Sequence, residues 1–163
     1  MEKVVEKVIW RDLDKKDVEQ WIELLHDAHR ENLKSGIPFT AGTLSVEEGL
    51  EILDEYYVFG GFIENRLITT LTIGEHPDNK DWKYFNLLAV ASDLQGEGIG
   101  NLTLKVGEEI SKEKGATQIH FDTSEAHPWL ASYYERSGYE RDGFIQWEGK
   151  PYRSVKLFKK LYA

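Results

Sequence analysis

The sequence predicts one mixed α/β domain (α+β in its layering), with a central sheet of about seven strands and the element order β-α-α-β-β-β-α-β-α-β-β. Three observations carry that expectation. Short apolar or alternating runs recur between stretches whose apolar residues follow helical spacing. Glycine, proline, asparagine or serine punctuates most of the junctions. The chain has 163 residues and is 40% hydrophobic, which is one domain's length with enough apolar side chains for a core. Residues 1–163 are therefore read as a single domain, without repeats or linkers.

Taken in order, Val4 to Trp10 alternates and reads as a first strand. Asp14 is placed to cap a helix with the apolar face Val18, Trp21, Ile22, Leu25, Ala28 and Leu33, which Ser35-Gly36-Ile37-Pro38 ends. Ile37 to Thr43 is a loop. Ser45-Val46-Glu47-Glu48 has the form of a capping box and opens a second, acidic helix to about Asp54. Tyr56 to Ile63 and Arg66 to Ile73 read as strands joined by a tight turn at Glu64-Asn65. Gly74 to Lys83 is a polar loop, and Tyr84 to Val90 a buried strand. Ile99, Leu102, Val106 and Ile110 then mark a helix that Gly115 closes. Thr117 to Asp122 is a strand with Ile119 and Phe121 on one face and His120 on the other. Pro128 to Arg136 is a short helix ending at Ser137-Gly138. Tyr139 to Trp147 and Tyr152 to Leu161 are the last two strands.

Composition removes several function classes. There is no cysteine, hence no disulfide, thiolate metal site or cysteine nucleophile. No apolar leader follows Met1 and no long apolar run occurs, so the expectation is a soluble cytoplasmic protein without a membrane partner. Net charge is −9, and Glu47, Glu48, Glu51, Asp54 and Glu55 fall in a stretch without a base. That balance argues against nucleic acid and favours a cationic small molecule, although solubility alone also accounts for most acidic surfaces. His26 and His29 form an HxxH pair, but no third ligand is indicated and no metal is expected.

The stretch organising the chain is Asn86 to Gly115: strand, glycine-rich loop, helix. The first N–H groups of a helix lack partners and sit at the positive end of its dipole, and glycines let an anion approach them. A P-loop is excluded, because Gly100-Asn101-Leu102 stands where Gly-Lys-Ser/Thr is required. A dinucleotide fingerprint fits poorly. Asn101 takes the third-glycine place, and Asp122 near the ribose-acid distance lacks a second βαβ unit downstream. The third reading fits best. Gln95-x-x-Gly98-x-Gly100, after Leu88-Ala89-Val90, resembles the coenzyme-binding motif of the GNAT superfamily of acetyl-CoA-dependent N-acetyltransferases. Tyr133-Tyr134-Glu135-Arg136-Ser137-Gly138-Tyr139 resembles that family's second signature, and the element order agrees over nearly the whole chain.

The resemblance implies acetyl-CoA as cosubstrate. It implies that backbone N–H groups of Gly96, Glu97, Gly98, Ile99, Gly100 and Asn101, after Gln95, hold the pyrophosphate. Leu88, Ala89 and Val90 would pair with the pantetheine arm, and the Val90 N–H would polarise the acetyl carbonyl. Tyr134 would be the general acid for the leaving thiolate; a core role for its ring is the alternative. His127 stands where the family often has an asparagine that contacts the coenzyme arm. The base is left open among Glu75, His76, Asp122 and Glu125, with Glu75 the first choice; His120 is read as a packed strand residue.

The expected activity is acetyl transfer to the primary amine of a small molecule by direct attack in a ternary complex. The acceptor, cationic or ring-bearing, would lie between the Ile37–Thr43 loop, the acidic helix and the last hairpin with Phe144, Trp147 and Tyr152. Alternatives are a peptide or protein N-terminus as acceptor, a non-catalytic acyl-CoA-binding module, and nucleotide binding without coenzyme A. A homodimer is compatible with the chain, and its oligomeric state is open.

Overall fold

Residues 3–162, which the computed structural model describes, form seven strands and four α-helices. The strands are β1 (Ile9–Asp12), β2 (Tyr57–Ile63), β3 (Arg66–Glu75), β4 (Trp82–Val90), β5 (Gln118–Ser124), β6 (Glu140–Ile145) and β7 (Ser154–Lys160). The helices are α1 (Val18–Lys34), α2 (Val46–Glu55), α3 (Ile99–Glu113) and α4 (Leu130–Arg136). They occur in the expected order. The sheet runs β1-β2-β3-β4-β5-β7-β6, and only β4 and β5 are parallel neighbours. Among the described residues no helix is long and apolar enough to cross a membrane.

Two cores sandwich the sheet. One gathers Trp21, Ile22 and Leu25 of α1 with Phe62, Ile68 and Leu87; the other gathers Leu104 of α3 and Ala131 and Tyr134 of α4 with Leu71, Phe85, Ile119 and Phe121. Each large apolar side chain buried this way is worth about 1.5–3 kcal/mol. Polar pins fix how the helices sit. Trp21 Nε1 donates to Thr70 Oγ1 at 3.0 Å, and Thr70 Oγ1 donates to the Phe59 carbonyl at 2.9 Å. On the other face, Thr103 Oγ1 of α3 lies 2.7 Å from Thr69 Oγ1 of β3. Gly107 allows α3 its close approach, since a Cβ there would fall 2.6 Å from Leu71 Cδ2.

Two local expectations need correcting. Val4–Lys7 is a 3₁₀ turn rather than strand, its start closed by the Lys3 N–H on Glu6 Oε2 at 3.3 Å. Only Ile9–Asp12 pairs, with Phe59–Phe62 of β2. Leu33 belongs to no buried face; it is exposed in the last turn of α1. Asp14 does cap, but its side chain accepts from the Lys16 N–H at the head of a 3₁₀ turn (Lys15–Asp17) that leads into α1.

Candidate active site

β4 and β5 share a ladder only where Trp82–Tyr84 meets Gln118–His120, and beyond it they part. The cause lies in β4. Leu87 has φ 54°, a left-handed backbone rare for a bulky residue, and its N–H turns onto the Asn86 Oδ1 at 3.0 Å. The β3–β4 register shifts beside it, between Thr70 and Thr72. A regular strand would point Phe85 and Leu87 to the same face. Here Phe85 enters the core under α3 and Leu87 the core under α1. The bulge re-aims the strand and leaves its end without a partner on the β5 side.

The opening is a cavity of about 410 Å³. Its walls are Phe85–Leu88 of β4, Phe121–Thr123 of β5 and Tyr134 of α4. The hairpin between β6 and β7 adds Trp147, Lys150 and Tyr152, and the loop before α2 adds Phe39. Two contacts tie that loop to that hairpin: Lys150 Nζ donates to the Pro38 carbonyl at 2.6 Å, and the Phe39 and Tyr152 rings lie 5.9 Å apart.

Beyond Val90 the chain runs through residues 91–98 into the start of α3. Gly98, its N-cap, is left-handed at φ 83° and provides no side chain to the first-turn N–H groups. A Cβ on Gly100 would lie 3.0 Å from the Tyr133 hydroxyl, so the bare backbone is needed there for packing as well as for access. Gln95 folds back, its side-chain amide donating to the Val90 carbonyl at 3.2 Å, which braces the loop against the end of β4. This cradle suits a diphosphate: unpartnered donors, a positive dipole end and no intruding side chain.

Tyr134 is buried against Phe121, ring centroids 4.5 Å apart, and faces the cavity. Its hydroxyl makes no hydrogen bond among the described residues, and burial pushes its pKa above the usual tyrosine value. Tyr139 of the same segment differs. It donates to Glu108 Oε2 at 3.0 Å, Lys159 Nζ reaches Glu108 Oε1 at 2.9 Å, and the trio closes inside the core.

Asp122 of β5 also lines the cavity, half-buried, and accepts from the Tyr84 hydroxyl and from Trp147 Nε1 at 3.3 Å. Burial pushes its pKa up to about 6, against the lowering effects of the Trp147 hydrogen bond and of Lys156. Such a carboxylate is ionised at neutral pH yet close enough to it to hold a proton.

The other sequence-level candidates lie elsewhere or serve differently. Glu75 ends β3 on the face that Ile73 and Lys83 share, where Lys83 Nζ meets it at 2.5 Å, and its side chain is 72% exposed. It is outside the cavity wall, because it pairs with Lys83 at the end where β4 and β5 still share their ladder, away from the splay. His120 is packed, as expected: it stacks on Trp82 at 4.5 Å and meets the Gln118 Oε1 at 3.0 Å. His127 turns its Nδ1 to the N–H groups of Trp129 and Leu130, at 3.4 and 3.3 Å, and so caps the start of α4. Glu125 is engaged by Arg153 at 2.7 Å. The HxxH histidines each donate Nε2–H to a carbonyl. His26 reaches Leu44 at 2.7 Å; His29 reaches Leu88 at 3.0 Å and lines the cavity beside Phe39.

Two placements overturn the expected acceptor pocket. The acidic helix α2 contributes no wall residue, so the acids at the cavity are Asp122 and Glu148 instead. Phe144 faces an outer groove, where the Arg153 guanidinium lies 4.1 Å over its ring. Phe39 takes the aromatic place that Phe144 was expected to fill. Its signal in the sequence was only an aromatic within a loop already assigned to the acceptor.

The profile of the Acetyltransferase (GNAT) family matches residues 15–139. The S-(2-succino)cysteine N-acetyltransferase of Bacillus subtilis is 30% identical over 152 residues, which is 90% of this chain and 92% of that protein. Among solved structures, the PaiA N-acetyltransferase of Thermoplasma acidophilum in complex with coenzyme A superposes with TM-score 0.76 at 18% identity, over 94% of this chain and 98% of that one. The ribosomal-protein-S18-alanine N-acetyltransferase of Escherichia coli also gives TM-score 0.76, at 12% identity, over 96% and 95%. By the profile match and the extent of the relative's identity, this chain belongs to the GNAT family of acetyltransferases, acyltransferase enzymes that use acetyl-CoA.

Proposed function

We propose that this enzyme acetylates the primary amine of a small molecule by direct attack, with Asp122 as general base and Tyr134 as general acid. Acetyl-CoA, when bound, supplies the acetyl group as a thioester. The backbone from Gly96 to Asn101 would hold its diphosphate, and the Leu88 to Val90 edge, which β5 leaves without a strand partner, would take its arm once the His29 and Gln95 side chains yield the Leu88 and Val90 carbonyls. The Val90 N–H would serve the acetyl oxygen, stabilising the charge that develops there.

An amine arrives as an ammonium ion and must lose a proton before it attacks. Asp122 holds that ion through its charge and accepts the proton, and its raised pKa narrows the gap to the amine. Tyr134 stays protonated at neutral pH and donates to a thiolate whose ordinary pKa is about 8.5. The observation carrying the proposal is the divergence of β4 from β5, just ahead of the bare start of α3 in the chain, with a carboxylate and a phenol on the walls of the opening. The relative from Bacillus subtilis, whose name gives a small-molecule amine as acceptor, supports a small molecule over a protein N-terminus.

The close contact of Tyr134 with Phe121 favours one rival, a binding module in which the tyrosine only packs. Tyr134→Phe separates the two. Catalysis predicts a loss in kcat of roughly 10²-fold or more with acetyl-CoA affinity kept. Unchanged transfer to the best amine leaves the packing role alone.

A further inference from the structure

The cavity wall is unevenly charged in a way the Bacillus relative's acceptor does not suit. S-(2-succino)cysteine carries three carboxylates beside its amine. Of the wall's charged side chains, Asp122 and Glu148 are acids and Lys150 is the base, and no arginine lines it. The Lys150 ammonium is already engaged with the Pro38 carbonyl, and burial lowers its pKa. Arg153, next in line, is held outside by Glu125 and the Phe144 ring. A carboxylate brought in here would lose water without gaining a partner and would face Asp122 across the pocket.

Aromatic surface is what the wall offers instead. Phe39, Trp147 and Tyr152 line the cavity, with Phe39 and Tyr152 5.9 Å apart and the Trp147 indole N–H on Asp122. The Asp122 carboxylate, with Glu148 the second acid of the wall, therefore sits beside an aromatic slot. From this geometry we infer that the acceptor is an arylalkylamine without a carboxylate: its ring occupies the slot of Phe39, Trp147 and Tyr152, and its ammonium pairs with Asp122. This rests on the acetyltransferase function proposed above and names its substrate class. The aromatic faces also attract the ammonium on its way in.

Matched pairs test it. Tryptamine and tryptophan, or phenethylamine and phenylalanine, differ only in the carboxylate. Initial rates of free thiol release from acetyl-CoA are compared for each pair and for S-(2-succino)cysteine. The expected result is a kcat/KM about tenfold or more higher for each amine than for its amino acid, the scale of one unpaired buried charge or polar group. A second readout needs no turnover: tryptamine alone raises Tm, tryptophan does not, and Trp147→Ala abolishes the rise. Glu148→Lys should narrow the amine-to-amino-acid ratio severalfold. Amino acids or the succinylated cysteine turned over as well as the amines overturn the class and leave the transferase standing. If calorimetry shows acetyl-CoA bound but no amine of either kind is acetylated, the transferase proposal falls and takes this inference with it.

Discussion

At the paired end of β4 and β5, His120 is stacked on Trp82, lies 4.4 Å from the His76 ring and 6.0 Å from that of Phe158, and is pushed down to a pKa of about 4 by burial and by His76. At the splayed end, two residues further along β5 on the same face, Asp122 is pushed up to about 6. Burial acts on both, and in each case it favours the neutral form. What separates them is access. His120 is walled in by rings, whereas Asp122 opens on a cavity beside the tyrosine of α4. A perturbed titration is thus a sign of function only where a substrate can reach the group.

The sharpest way to break that contrast is Asp122→Asn. Loss of the base should lower kcat by about 10²–10⁴-fold while acetyl-CoA affinity, measured by calorimetry, changes little. Stability should move the other way. A carboxyl whose folded pKa exceeds its unfolded value stabilises the fold at low pH, and that contribution is lost as pH rises through about 6. At pH 7.5 the ionised form is a cost of about 2 kcal/mol after discounting for solvent in the cavity, so the asparagine variant should melt higher. A variant that is both less stable and fully active contradicts the assignment. For the wild type, kcat/KM should fall about tenfold per pH unit below about pH 6, as Asp122 takes up a proton among Tyr84, Trp147 and Lys156. A profile flat to pH 5 contradicts it equally.

Tyr134 and Tyr139 sharpen the comparison within one signature. Tyr139→Phe removes the donor to Glu108 and leaves that buried carboxylate with Lys159 alone. The cost should be about 1–3 kcal/mol of stability in denaturant melts, with kcat nearly unchanged. If Tyr139→Phe cuts kcat as deeply as Tyr134→Phe, the two hydroxyls do not divide structure from chemistry as described.

The glycine loop, α3 and both tyrosines were legible because their signals are local: glycines, helical spacing, and a helix closed by Gly138. The element order followed from periodicity alone. The bulge was not legible, since Tyr84 to Val90 reads as one buried strand and nothing in it announces a left-handed Leu87. The exchange of Phe144 for Phe39 has a similar cause. The β6–β7 register shifts between Arg141 and Phe144, with Gly143 at φ 85°, and turns Phe144 outward. The acids of α2 misled because charge in a sequence carries no direction. The distance of Glu75 from the cavity was not legible, because it depends on the register that sets Glu75 beside Lys83 at the paired end of β4 and β5.

That register also supplies the smallest prediction. Glu75 shares its face with Lys83 and Ile73, and its side chain is mostly in water. An ion pair with one exposed partner contributes about 0–1 kcal/mol, so Glu75→Gln should shift Tm only slightly. Its effect on kcat should stay within about twofold, because no wall of the cavity includes it. The outcome that matters is the pH profile. Under the Asp122 assignment the profile of the glutamine variant keeps its fall below about pH 6, since the group that titrates is untouched. Were the fall to vanish with Glu75 and persist in Asp122→Asn, the proton would have to leave by the paired end of β4 and β5 instead. The splay between β4 and β5 would then be a coenzyme channel with its acceptor site at that end.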